Sequence, residues 1–175
     1  GVNAFGLSGL DGRLLLAERK STIRIVDNGK RKILRDDYTG RIETVNIKAI
    51  RALQDAGHIP VVAPVAISES GEALNVDGDR AAARLAGTVE ADTLVILSNV
   101  SGLLSDLEDP NSYIPRISAN DMDDAINNIA RGRMKRKLIA AREALDDGVK
   151  QVIIANGKID QPITKALKGE GTLIN

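Results

Sequence analysis

Cysteine and tryptophan are absent from the 175 residues, and the aromatic side chains are limited to Phe5, Tyr38 and Tyr113. Without thiols there is no disulfide, no thiolate metal site and no cysteine nucleophile, a composition that suits a reducing compartment, so the cytoplasm is expected. With so few rings there is little on which bases can stack. The 24 basic and 24 acidic side chains leave no net charge to draw in nucleic acid or an anionic membrane, and neither partner is expected. No run approaches the roughly 18 consecutive apolar residues of a membrane span, and the start shows no basic region followed by an apolar signal segment. A Gly-x-x-x-x-Gly-Lys-Ser/Thr loop and a Gly-x-Gly-x-x-Gly fingerprint are both missing, which argues against a P-loop NTPase or a dinucleotide enzyme. The single histidine, His58, cannot build the usual zinc site and reads as a loop residue. What remains is ample for a core, since a domain of this length buries about two thirds of its unfolded surface.

Residues 13–18, 21–26 and 31–34 read as short strands, with a turn at Asp27-Asn28-Gly29-Lys30, giving a β-hairpin excursion over about 21–44. Helical spacing over 45–56 stops at Gly57, 59–66 reads as a buried strand, 79–85 as a helix and 93–97 as a second apolar strand. Ser118 suits an N-cap, with Asp121 three residues on. Beyond it come a helix over 133–146 that stops at Gly148, a parallel-type strand at 152–155, a short helix at 162–167 and a closing strand at 171–174. Apolar strands separated by helices predict an α/β fold with three α/β/α layers and a mainly parallel sheet.

In such sheets ligands bind beyond the carboxyl ends of the strands, so the loops at 73–79, 98–102 and 156–158 are expected to converge. The first, Leu74-Asn75-Val76-Asp77-Gly78-Asp79, places an amide and two acids before the small-residue helix Ala81-Ala82-Ala83, where backbone amides can meet an anion. The same residues also suit turn-forming and N-cap roles. The basic cluster Arg131-Gly132-Arg133-Met134-Lys135-Arg136-Lys137 is the electrostatic counterpart, or simply a solvated helix face. Met134, Leu138, Ala141 and Leu145 form its apolar stripe, and Arg133 and Lys137 share the adjacent face. Cations at a helix start sit at the unfavourable end of its dipole, an arrangement that an anionic ligand relieves. A lysine there can follow a phosphoryl group along its in-line path while stabilising its charge.

Gly6-Leu7-Ser8-Gly9-Leu10-Asp11-Gly12, the Asn75–Asp79 loop, Leu97-Ser98-Asn99-Val100-Ser101-Gly102-Leu103-Leu104 and the basic cluster stand in an order and spacing that resemble the amino acid kinase family. Its members phosphorylate carboxylates or carbamate and include acetylglutamate kinase and aspartokinase, and the resemblance covers essentially the whole chain. Asp36-Asp37-Tyr38-Thr39-Gly40, Leu97-Ser98-Asn99-Val100 and the basic cluster are most similar to the branch that phosphorylates the side-chain carboxylate of aminoadipate, or glutamate, attached to a carrier protein in lysine biosynthesis.

The resemblance implies ATP as donor, Mg²⁺ bridging its phosphates, and an acidic amino-group carrier protein as partner of a homodimeric full-length enzyme. It implies that Asn75 binds substrate, that Asp79 organises the catalytic lysines, and that Lys137 stabilises the leaving side of the phosphoryl group. Ser98, Asn99, Gly102, Arg133, Met134 and the Asn156-Gly157 turn fall in the ATP region. Asn99 stands where acetylglutamate kinases usually carry aspartate, so only nucleotide contact is carried over. Arg133 stands where glycine commonly precedes the methionine. Full members begin with a strand bearing lysine and glycines and then a second glycine-rich loop, which together form an N-terminal substrate lobe. Neither motif occurs here, so residues 1–175 are expected to be the C-terminal ATP-binding domain, inefficient alone and prone to association at an exposed sheet edge. Acetylglutamate kinase of arginine biosynthesis and a noncatalytic ATP-binding fragment are the alternatives.

Overall fold

The structure, a computed structural model, describes residues 1–27, 30–34, 37–106, 108–109 and 112–175. The chain forms two compact units, Gly1–Ala81 and Ala82–Asn175.

The first unit contains β1 (Ala4–Ser8), β2 (Leu15–Arg19), β3 (Ile23–Asp27), β4 (Lys30–Leu34), β5 (Gly40–Val45), α1 (Ile47–Asp55), β6 (Ile59–Ala63), β7 (Val65–Ile67) and β8 (Ala73–Asn75). β3 and β4 pair antiparallel as expected from the hairpin pattern; the turn residues Asn28 and Gly29 lie outside the described residues. β5 returns antiparallel to β2, β2 meets β7 in parallel, and β7 pairs antiparallel with β8. Helix α1 buries Ile50 and ends where the glycine predicted it. Gly57 takes φ +77°, while the Gly57 and His58 amides donate to the Gln54 and Leu53 carbonyls, closing the last turn.

The reading of 59–66 as one buried strand is corrected. Proline at 64 separates β6, which pairs in parallel with β1, from β7, which belongs to another sheet. Along β6 the side chains alternate in exposure, with Ile59 and Val61 open to solvent. An alternation in which both faces are apolar is indistinguishable in sequence from a buried run.

Helix α2 (Gly78–Thr88) contains the division between the units. After it come β9 (Thr93–Ser98), β10 (Leu103–Leu104), β11 (Tyr113–Ile114), β12 (Arg116–Ile117) and a 3-10 turn at Ala119–Asp121. Ser118 caps that turn, accepting from the Asp121 amide and donating to its carboxylate at 2.6 Å. Next are α3 (Met122–Asp124), a π-helical turn at Ala125–Ile129, α4 (Gly132–Asp146), β13 (Gln151–Asn156), α5 (Pro162–Leu167) and β14 (Thr172–Ile174).

The strand order here is β12-β14-β13-β9. β9 and β13 run parallel over their whole lengths and β12 pairs in parallel with the end of β14, but β13 and β14 are antiparallel. Together with the antiparallel pairs of the first unit, this makes the sheets mixed, correcting the mainly parallel expectation. Apolar runs report that a strand is covered on both faces; they carry no signal for the direction of its neighbour. β13 is such a strand. Val152 and Ile154 join the large core with Ile96, Leu138, Ala141 and Ile174, while Ile153 and Ala155 pack with Ala166 of α5. The predicted stripe of α4 is borne out at Leu138 and Ala141, which are fully buried, with Met134 and Leu145 partly so. Among the described residues no helix is long and apolar enough to cross a membrane.

Candidate functional site

In the second unit the carboxyl end of β9 and the start of α4 face a cavity of about 680 Å³. β9 ends at Ser98, whose carbonyl accepts the Gly157 amide at 2.7 Å, so the loops after β9 and β13 meet as the strand-end rule requires. Asn156 caps its own turn, its Oδ1 accepting the Lys158 amide at 2.9 Å. The π-helical turn delivers Ile129 and Ala130 to the cavity, the Ala130 amide reaching back to the Ala125 carbonyl. Such turns shift the helix register and recur at binding sites.

The lining divides by chemistry. Leu97, Val100, Leu103, Leu104, Ile129 and Met134 give it apolar walls, and every charged side chain is a cation: Arg131, Arg133, Lys137 and Lys158. Arg131, the N-cap residue of α4, does not cap its first amides with its side chain. Those amides, the helix dipole and four cations all favour an anion at this end, while the apolar walls suit a planar base. Lys137 is half-buried and Arg133 exposed, so the lysine lies deeper.

Of the residues singled out from sequence, Ser98, Asn99, Gly102, Arg133, Met134, Lys137 and Gly157 line this one cavity. Asn156 instead lines a second cavity of about 630 Å³ in the same unit. Asn75 and Asp79 belong to the first unit. Asn75 ends β8, its amide donating to the Tyr38 carbonyl at 2.7 Å, and Tyr38 is fixed by the Arg19 guanidinium 4.1 Å above its ring. Arg19 is held in turn by Glu72 at 3.0 Å and by the Asp37 carbonyl. Asp79 lies in the first turn of α2, and the capping role falls to Asp77, which accepts the Arg80 amide at 3.1 Å. In the glycine motif at 6–12, the Ser8 amide and hydroxyl both donate to Asp11, and this holds the Asp11 carboxyl below its ordinary value.

Sequence reasoning passed over Thr172 and Tyr113. Tyr113 donates to the Gly171 carbonyl, and burial pushes its phenol above the ordinary tyrosine value despite that bond. A proton held more tightly in the folded state gives a stability that is complete below the unfolded phenol's pKa. It is lost as pH rises from there through the raised folded value. In an alkaline titration followed by tyrosinate absorbance, a late-ionising component is expected that Tyr113→Phe removes; identical curves would refute the burial argument.

Strand-end loops, a basic helix start and an apolar slot thus meet in one cavity, chemistry suited to an anionic ligand with a flat apolar part. The chain belongs to the amino acid kinase family, whose sequence profile matches residues 1–156. It is 47% identical over 175 residues to the LysW-aminoadipate kinase of Thermus thermophilus and 49% identical to that of Deinococcus radiodurans, matching 99% and 100% of this chain. The chain spans 65% and 60% of the lengths of these relatives. Among solved structures, N-acetylglutamate synthase from Neisseria gonorrhoeae, complexed with coenzyme A and L-arginine, superposes with a TM-score of 0.78 at 27% identity, covering 99% of this chain and 38% of that one.

Proposed function

We propose that this chain is the C-terminal, ATP-binding part of a cytoplasmic kinase that phosphorylates the side-chain carboxylate of aminoadipate, or glutamate, carried by an acidic amino-group carrier protein. The observation that carries the reading is the cavity of the second unit, apolar on its walls and charged only by cations. An adenine ring fills the apolar part and the phosphates meet Arg133, Lys137 and the α4 amides. Ser98, Asn99, Gly102, Met134, Asn156 and Gly157 serve the base and ribose side.

In the reaction an oxygen of the acceptor carboxylate attacks the γ-phosphorus as the bond to the β,γ-bridging oxygen breaks, yielding an acyl phosphate and ADP. Lys137 stabilises the charge that accumulates on the leaving side, a role suited to a compact ammonium on a flexible stem. Asn75 binds the acceptor and Asp79 orients the basic groups. Among the described residues no three acidic or histidine side chains gather into a metal cage. With a cationic lining, the cavity fits a triphosphate better than a bare ion; Mg²⁺, when bound to the phosphates, supplies charge neutralisation there. The acidic carrier is supported by the composition of residues 19–35, which hold Arg19, Lys20, Arg24, Lys30, Arg31, Lys32 and Arg35 against a single acid, Asp27. Opposite charge steers such an encounter.

Turnover by the full-length protein, followed as ADP release, tests the reading. Carrier-attached aminoadipate or glutamate is expected to be consumed and free N-acetylglutamate left untouched. Turnover of free N-acetylglutamate alone would move the protein to arginine biosynthesis, and ATP binding without transfer to any acceptor would leave a noncatalytic nucleotide-binding protein.

A further inference from the structure

Thr172, the first residue of β14, is wholly buried, and its hydroxyl both accepts and donates. The oxygen accepts the Leu103 amide at 2.8 Å and donates to the Ile114 carbonyl at 2.7 Å. These partners face one another across the β10–β11 pair, in which Leu103 opposes Ile114 and Leu104 opposes Tyr113. One hydroxyl therefore ties the β10–β11 pair to β14 of the β12-β14-β13-β9 sheet. Nothing else in the hairpin's own two-by-two pairing is extensive enough to fix its position.

Packing around this hydroxyl is tight. A Cβ on Gly102 would stand 2.5 Å from Thr172 Oγ1 and 2.7 Å from the Tyr113 ring. Tyr113 is itself tied to the Gly171 carbonyl. The segment fixed in this way, Gly102 to Leu104, is a wall of the nucleotide cavity.

We infer that Thr172 is a positioning residue for nucleotide binding: its hydroxyl sets the Gly102–Leu104 wall against which the base packs, although the residue itself does not line the cavity. The inference rests on the nucleotide reading of that cavity. Only serine or threonine can accept from one backbone group and donate to another at this place. Valine has the same shape and removes both of these hydrogen bonds.

Thr172→Val and Thr172→Ser separate the hydroxyl from the volume. Two readouts are taken on folded protein, verified by thermal melting: hydrogen exchange of the amides at 102–104 without nucleotide, and the dissociation constant for Mg-ATP. In Thr172→Val the Leu103 amide is expected to exchange at least about tenfold faster and Mg-ATP to bind about tenfold more weakly. Thr172→Ser should stay within about threefold of the parent on both, since it keeps both hydrogen bonds. Faster exchange in Thr172→Val with unchanged Mg-ATP affinity would overturn the positioning role and leave a structural one. Unchanged exchange would overturn the anchoring itself. If the parent protein binds no Mg-ATP, the nucleotide reading falls and takes the positioning role with it, while the exchange data still decide whether the hydroxyl anchors the wall.

Discussion

On the proposed kinase reading, replacing Lys137 by alanine is expected to lower kcat of the full-length protein by about 10²- to 10³-fold, the range found when one preorganised charge-stabilising group is removed from a site. The size follows from its position. Lys137 is half-buried in a cavity whose charged lining residues, among the described residues, are all cations. Its helix is anchored by Leu138, Ala140, Ala141 and Ala144, all wholly buried, so the ammonium is delivered from a rigid base. At about 4 Å and an effective dielectric near 20, a unit charge contributes roughly 4 kcal/mol, and the share that appears only as charge moves to the leaving oxygen sets the rate effect. The fold should survive, because the buried stripe is untouched. Arginine at 137 should recover little, since a planar fork cannot follow the phosphoryl group as a compact ammonium does. Arg133→Ala, which removes an exposed cation one turn earlier, should raise the KM for ATP by about tenfold or less with kcat nearly preserved. Steady-state kinetics of the three variants check this pattern. A Lys137→Ala enzyme within about threefold of the parent in kcat would remove lysine from the catalytic reading.

The largest expected effect on stability comes from Gly9→Ala. A Cβ there would lie 2.1 Å from the Val65 carbonyl oxygen and 2.7 Å from Leu15 Cβ. The first obstacle is backbone of β7 and cannot rotate away, and the Gly9 carbonyl and amide are both engaged, with the Leu15 amide and the Ala63 carbonyl. Opening the strands apart should cost about 3 kcal/mol or more, as overpacking of a tight site does. For a chain of this size that is a fall in Tm of about 6–12 °C. Gly6→Ala is the control, because a Cβ there meets nothing within 4 Å. It should change stability by no more than about 0.5 kcal/mol. Parallel thermal melts decide the matter: equal midpoints for the two variants would mean that the close approach at Gly9 is not a real constraint.

These two glycines sit three residues apart in one motif, and nothing in the motif tells them apart. Elsewhere the sequence was more informative. β9, β13, α4 and α5 were legible to within a residue or two because long apolar runs, a clear helical stripe and terminal Gly or Pro all agree. The strand-end rule and the basic helix start then brought seven of the ten singled-out residues to one cavity. The short strands β8, β10, β11 and β12 were not legible, since two or three residues carry no period and are ordered only by their partners. Asn156 and Gly157 share a turn but line different cavities, because membership of a turn does not say which way each of its residues opens.

By itself, then, the sequence determined the composition classes that were excluded, the long elements, the family and the cationic helix that faces the cavity, because each is written in local pattern or in motif order. The tertiary structure alone decided the direction of β14, the break at Pro64, the intolerance of Gly9 and the linkage of Leu103 to Thr172 across 69 residues. Each of these depends on which backbone group meets which distant one, and hydrogen bonds and close contacts between such groups leave no periodic trace along the chain.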